Sequence, residues 1–197
     1  MYSQTPMLPA LTVFDVETTG LDPNRGHKII EIGAIRIEEG KILEANPFDM
    51  LVNPERPIPI EASQVNKIRN EDVISAPTID QVLPQFLDFA SNSLLVAHNA
   101  NFDMGFLTKE KELCWGFIDL PECLCTLRLS RSLYPTEFRH SLDVVALRLG
   151  IELPAVRHRA LPDVLLTAQA LLRMVEGGDI GSIEDLRVKA GVRQMAK

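Results

Sequence analysis

Apolar and polar positions along the chain follow two periods, and their alternation predicts the order of elements. Residues 11–16 form a short apolar run that breaks into Glu17-Thr18-Thr19-Gly20, a strand entering a turn. Residues 28–37 (KIIEIGAIRI) are rich in isoleucine and partly alternate, as a sheet strand does. Glu38-Glu39-Gly40 then predicts a hairpin turn, with residues 41–52 returning antiparallel. A loop punctuated by Pro54, Pro57 and Pro59 follows. The helical period takes over at residues 79–89, where Val82, Leu83, Phe86 and Phe89 share one face. A short buried strand is predicted at 94–97, a helix at 101–113, an extended segment at 122–125, and helices at 127–133 and 142–149. The strongest helix is predicted at 162–175. There Val164, Leu165, Ala168, Leu171, Leu172 and Val175 recur on one stripe, Pro162 suits the first helical position and Gly177 suits the cap. No repeat or low-complexity tract interrupts this order. Strands first, then helices alternating with short strands, imply an α/β protein with a mixed sheet and helices packed on it. The segment 178–197 is expected to form a small extra helix or to fray.

Composition changes this picture little. The 197 residues are 46% apolar and 24% charged, enough for one domain with a substantial core. No run of about twenty apolar residues is present, so no membrane helix is expected. Residues 1–9 lack the basic flank and apolar core of a signal peptide, and a reducing cytosol is the expected location. The three cysteines agree. Cys123 and Cys125 have no second pair to complete a four-ligand zinc site, and with Cys114 they are expected to be buried structural thiols.

The formal net charge of −7 argues at first against a nucleic-acid partner. Its distribution softens the objection, because residues 128–159 hold six arginines against Glu137, Asp143 and Glu152. Metal ions can also offset carboxylates where phosphate approaches.

The candidate chemistry lies in the acids. Asp15 and Glu17 stand two apart in a strand, which puts both on one face, with Phe14 and Val16 on the other. A solvated strand face and a metal site both account for the pair. Two adjacent acids in so apolar a strand are costly to bury unless a cation balances them. Asp103 opens a predicted helix just after His98-Asn99-Ala100, where an acid also suits the helix dipole. His158 and Asp163, five apart, fall off a common helical face. A helix starting near Pro162 resolves this by leaving His158 in the preceding loop, free to exchange protons near neutral pH.

Three segments in this order carry a specific resemblance: Phe14-Asp15-Val16-Glu17-Thr18-Thr19-Gly20-Leu21, His98-Asn99-Ala100-Asn101-Phe102-Asp103, and His158-Arg159-Ala160-Leu161-Pro162-Asp163. Together they resemble the DnaQ-like, or DEDDh, 3′→5′ exonuclease family over roughly residues 10–176. Residues 1–9 would then be an extension and 177–197 a tail. The resemblance implies a ribonuclease H-like fold, a central mixed five-stranded sheet flanked by helices, and two divalent cations, Mg²⁺ or Mn²⁺. It implies that Asp15, Glu17 and Asp163 hold the catalytic ion, that Asp15 bridges to a second, and that Asp103 supports that second ion. His158 would be the general base. Thr18, Thr19, Gly20, Leu21, His98, Asn99 and Phe102 would bind the terminal nucleotide.

The activity implied is hydrolysis of DNA 3′ ends to 5′-mononucleotides, of proofreading or end-trimming type, on single-stranded or frayed ends. A polymerase or repair assembly would be the setting, and the oligomeric state is not legible. An exoribonuclease acting on RNA ends and a non-catalytic nuclease-like module are the alternatives.

Two departures from the family pattern stand out. Asn66-Lys67-Ile68 replaces a His-Gly-Ile type sequence, and Cys125 precedes Thr126 where many relatives carry Asp. Gln81-Val82-Leu83-Pro84-Gln85-Phe86 loosely resembles a sliding-clamp peptide, but its apolar residues equally suit a buried helix face, and core packing is expected.

Overall fold

A computed structural model describes residues 8–115, 119–178 and 180–191. Five strands form one sheet in the order β3-β2-β1-β4-β5. They are β1 (Leu11–Thr18), β2 (Ile29–Glu38), β3 (Lys41–Leu51), β4 (Leu94–Ala97) and β5 (Cys123–Cys125). The first three make an antiparallel meander, whereas β4 and β5 add parallel to β1. The sheet is therefore mixed, as expected.

The helices are α1 (Ile60–Asn66), α2 (Asn70–Val73), α3 (Ile79–Phe89), α4 (Asn101–Trp115), α5 (Thr126–Leu133), α6 (Leu142–Arg148), α7 (Ala160–Gly177) and α8 (Ile183–Ala190). They cover the sheet in two layers. On one face Leu11 and Val13 of β1 and Ile35 and Ile37 of β2 meet the apolar stripe of α7, with residues of α5, α6 and α8 around it. On the other, Phe14 and Val16 join Val82, Leu83 and Phe86 of α3 and Phe106 and Leu107 of α4. The period-two alternation of β1 thus feeds two cores, and the row Leu11-Val13-Asp15-Glu17 continues from apolar to acidic on the α7 side. The clamp-like peptide is the buried face of α3, as its pattern predicts.

The structure corrects several boundaries. The last helix begins at Ala160, not Pro162, and Gly177 lies inside it, with Gly178 following. Its first amide, on Ala160, is capped by Glu31 of β2 and not by a neighbour in sequence, so local signals did not mark the start. Pro162 falls within the first turn, where a missing N–H leaves no helical bond unmade. The short helices α1 and α2 were read as loop because prolines surround them and no apolar period runs through them. The segment after α7 does form a small helix, α8, while residues 192–197 lie outside those described. No helix among the described residues is long and apolar enough to cross a membrane.

Candidate active site

Strand β1 outruns its parallel neighbour. The β1–β4 register ends at Val13↔Val96 and β4 itself at Ala97, so Asp15 to Thr18 extend past the carboxyl end of β4. Crevices of this kind, outside the carboxyl ends of parallel strands, are where α/β folds bind ligands. The start of α4 fills the open edge. Asp103, buried in its first turn, accepts a hydrogen bond from the Val16 amide at 3.2 Å. That bond satisfies a strand amide that β4 does not reach.

Strand β2 shapes the other side. Glu17 stands opposite Glu31, and Asp15 opposite Gly33. A Cβ on Gly33 would lie 2.8 Å from the Ala160 backbone, so glycine lets α7 approach the sheet closely. That approach brings Asp163 to the pair on β1: carboxylate oxygens of Asp15, Glu17 and Asp163 all lie within 4.8 Å of one another. Three acids from two distant segments meet there, and the charge of Asp103, outside that trio, bears on Asp15.

The electrostatics follow from crowding. Burial, then Asp103, Glu17 and Glu31, push the Asp15 carboxyl well above its ordinary value, with Arg157 opposing. Burial and Glu31 push Glu17 up to about 7, and burial pushes Asp103 up to about 7. Arg157 pairs with Asp163 and with Asp143 of α6, and with Arg159 it partly offsets the charge on Glu17. The donor set is hard oxygen alone, with neither thiol nor imidazole among the three, which fits a cation such as Mg²⁺ or Mn²⁺ and not a soft metal.

This crowding sets an expected pH dependence for the chelator-treated protein. A carboxyl whose folded pKa is raised stabilises the fold below its unfolded pKa and loses that contribution as pH rises through the folded value. His98 has the opposite sign: burial lowers its pKa to about 4, so stability grows until the unfolded histidine, whose pKa is about 6.5, has become neutral. Between pH 6.5 and 8.5 the carboxyls outweigh the part of the His98 contribution that is still being gained. Stability in EDTA should fall there by about 1 kcal/mol for each group titrating near 7, a Tm drop of several degrees in all. Excess Mg²⁺ should reverse it. Thermal unfolding that is flat with pH in EDTA would remove the crowding argument.

A cavity of about 810 Å³ opens beside the acids, lined by Glu17 to Leu21, Phe102, His27, Val65 and Asn66 among others. Its floor is a rigid turn. The Thr18 hydroxyl donates to the Gly20 carbonyl at 2.6 Å, the Thr19 amide to the Lys28 carbonyl at 2.8 Å, and the Lys28 amide to the Thr19 hydroxyl at 2.9 Å. Gly20 is required here, since a Cβ would strike the His27 ring. Leu21 projects into the cavity 85% exposed. Asn66, buried, reaches the Thr18 carbonyl at 3.4 Å and accepts the Ile68 amide at 3.0 Å. Lys67 takes the left-handed conformation that ends α1, the place of the family's glycine.

His158 stands exposed in the loop before α7 with φ +58, as the sequence implies. His98 and Asn99 are not on the cavity wall. The His98 ring is engaged on both sides. Nε2 lies 2.9 Å from the His140 carbonyl and must donate to it, so Nδ1 accepts from the Thr126 hydroxyl at 2.9 Å. Asn99 is exposed at a left-handed turn, and its carbonyl receives the Phe102 amide at 2.8 Å. Sequence reasoning missed Glu31, Gly33, Arg157, Asn66 and His27. Glu31 carried a local signal, an acid among isoleucines in KIIEIGAIRI, and Asn66 a family one, as the first residue of the departure from His-Gly-Ile.

A mixed five-stranded sheet flanked by helices, with acids clustered at the end of its first strand beside an open cavity, is the arrangement of an exonuclease domain with a ribonuclease H-like fold. Comparison with known proteins agrees and is specific. The chain belongs to the RNase_T exonuclease family, whose profile matches residues 12–171. It is 44% identical over 176 residues to a DNA polymerase III subunit epsilon-like protein of Rhodobacter capsulatus, covering 88% of this chain and 25% of the relative. It is 37% identical over 170 residues to the DNA polymerase III subunit epsilon of Rickettsia typhi, covering 84% of this chain and 73% of the relative. Against a PolC-type DNA polymerase III of Clostridium perfringens it is 40% identical, covering 90% of this chain but 12% of the relative. The chain therefore spans a small part of some relatives and most of others. Among solved structures, exonuclease X in complex with 5′ overhanging duplex DNA is 31% identical, with a TM-score of 0.69 over 85% of this chain and 93% of that one.

Proposed function

We propose that this chain removes nucleotides one at a time from DNA 3′ ends, releasing 5′-mononucleotides, in a proofreading or end-trimming role. The observation that carries the reading is the meeting of Asp15, Glu17 and Asp163 within 4.8 Å at the mouth of the cavity floored by Thr18 to Leu21. Asp15, Glu17 and Asp163 would hold the cation, Mg²⁺ or Mn²⁺, with Asp103 supporting a second ion. Bound there, two such ions make hydroxide available at neutral pH and offset charge on the phosphate and the leaving oxygen.

The chain's own groups do the remaining work. His158, in the loop before α7, would take the proton of the attacking water. Thr18, Thr19 and Gly20 hold the last nucleotide through a turn that needs no reordering, and Leu21 and Phe102 offer its base apolar contact. Asn99 acts through Phe102, whose amide its carbonyl receives, and His98 ties the end of β4 to Thr126 and the His140 carbonyl. A frayed end enters more readily than a paired one, because less stacking and pairing is lost. The exposed side chains of Arg128, Arg131 and Arg139 would offer the approaching phosphates positive charge in an otherwise acidic chain. The relatives named as polymerase III subunits support a replication or repair assembly as the setting, and a reducing cytosol suits the three free thiols.

The test is mononucleotide release from 5′-labelled single-stranded DNA and from RNA of matched sequence, with Mg²⁺, Mn²⁺ or EDTA. Stepwise shortening of the DNA, abolished by EDTA, is expected. Faster shortening of the RNA would make the chain an exoribonuclease. No shortening of either would leave a nuclease-like binding module.

A further inference from the structure

Glu31 belongs to none of the motifs that mark the site, yet it is the most connected acid beside it. Its side chain is 2% exposed. It accepts from Arg159 Nε at 3.0 and 3.1 Å, from Arg159 Nη2, and from the Ala160 amide at 2.9 Å. Ala160 is the first residue of α7, and Arg159, which precedes it, supplies no side-chain cap of its own. The cap comes instead from a strand 129 positions earlier in the chain. Beside it, Gly33 lets the Ala160 backbone settle against the sheet. The start of α7 is thus pinned at one point, with His158 two residues before it and Asp163 three residues after.

Arg157, on the other flank of His158, is tied to Asp143 and Asp163. Two arginines pinned to different elements straddle His158 and hold it at φ +58, a conformation that side chains seldom adopt unaided.

We propose that Glu31, acting through Arg159 and the Ala160 amide, is a positioning residue that sets where Asp163 and His158 stand relative to Asp15 and Glu17. This rests on the reading of those acids as the cation site. A purely structural role would lower stability without changing the site. A field effect would act through charge alone, and there the two partners differ in sign. Removing the Glu31 charge weakens attraction for a cation, whereas removing the Arg159 charge strengthens it. Positioning predicts that both losses weaken it, because either one releases α7.

The experiment is titration of the chain with Mn²⁺ alone, followed by calorimetry or by the Mn²⁺ resonance signal, for wild type, Glu31→Gln, Arg159→Gln and Gly33→Ala. Gly33→Ala moves α7 by steric contact and leaves every charge in place, so it still decides the matter if Glu31→Gln does not fold. Each variant with a native circular dichroism spectrum is expected to bind Mn²⁺ about 10–100-fold more weakly, the range for lost outer-shell partners. In Arg159→Gln, kcat should fall with KM for a DNA oligonucleotide little changed. Equal or tighter Mn²⁺ binding by Arg159→Gln would overturn the proposal. Failure of the wild-type chain to bind Mn²⁺ would instead overturn the cation site itself.

Discussion

Asp15→Asn is expected to lose exonuclease activity and, in the absence of metal, to unfold at a higher temperature than wild type at pH 8. The two halves of this result have one cause. Asp15 lies among the acids, with Glu17 and Asp163 in one cluster, and its ionised form is disfavoured by burial first and by Asp103, Glu17 and Glu31 next. Asparagine keeps the shape and removes the charge. Without a cation, that relieves repulsion that wild type must tolerate above pH 7. With one, it removes the central ligand. The loss in kcat should exceed the 10²–10³-fold or so that follows removal of a single preorganised hydrogen-bond donor, because charge balance and water activation fail together. Activity in Mg²⁺ and thermal unfolding in EDTA, measured on one preparation, check both halves. A lower Tm in EDTA would mean that Asp15 is not crowded, whatever happens to activity. Sites that hold strain for function commonly gain stability when disarmed.

What was legible in the chain depended on how far apart the interacting residues lie. The two faces of β1 could be read directly, since period two separates Phe14 and Val16 from Asp15 and Glu17 within five residues. The stripe of α7 could be read for the same reason. The convergence of Asp163 on β1 came from the order of the motifs and not from any local pattern. What decides it physically is the absent Cβ of Gly33 and the reach of Glu31, whose partner Arg159 is 128 positions away. The start of α7 was placed two residues late because its cap is non-local. His98 was set in the nucleotide pocket by its motif, whereas its ring is held by Thr126 and by the His140 carbonyl, neither of which is near in sequence. The same limit hid the role of Asn66. In this position it supports the Thr18 carbonyl from beneath the turn, and Lys67 adopts the left-handed conformation where a glycine would sit unstrained.

Substitution of His158 should separate chemistry from architecture more cleanly than any acid can. The ring is exposed, and no helix or core residue depends on it, so the fold and the cation site should survive its loss. The backbone is the complication, because φ +58 is tolerated unequally by different residues. Two variants resolve this. Alanine keeps the strain of a side chain in the left-handed region, and asparagine is among the residues that adopt it most readily. Neither can take a proton from water near neutral pH. If His158 is the general base, His158→Ala and His158→Asn should lose kcat alike, by about 10²–10⁴-fold, with Mn²⁺ affinity unchanged. If the loop conformation is what matters instead, asparagine should recover most of the activity that alanine loses. Turnover near wild type in both variants would remove the imidazole from the reaction, and the acids with their cations would have to deprotonate the attacking water without it.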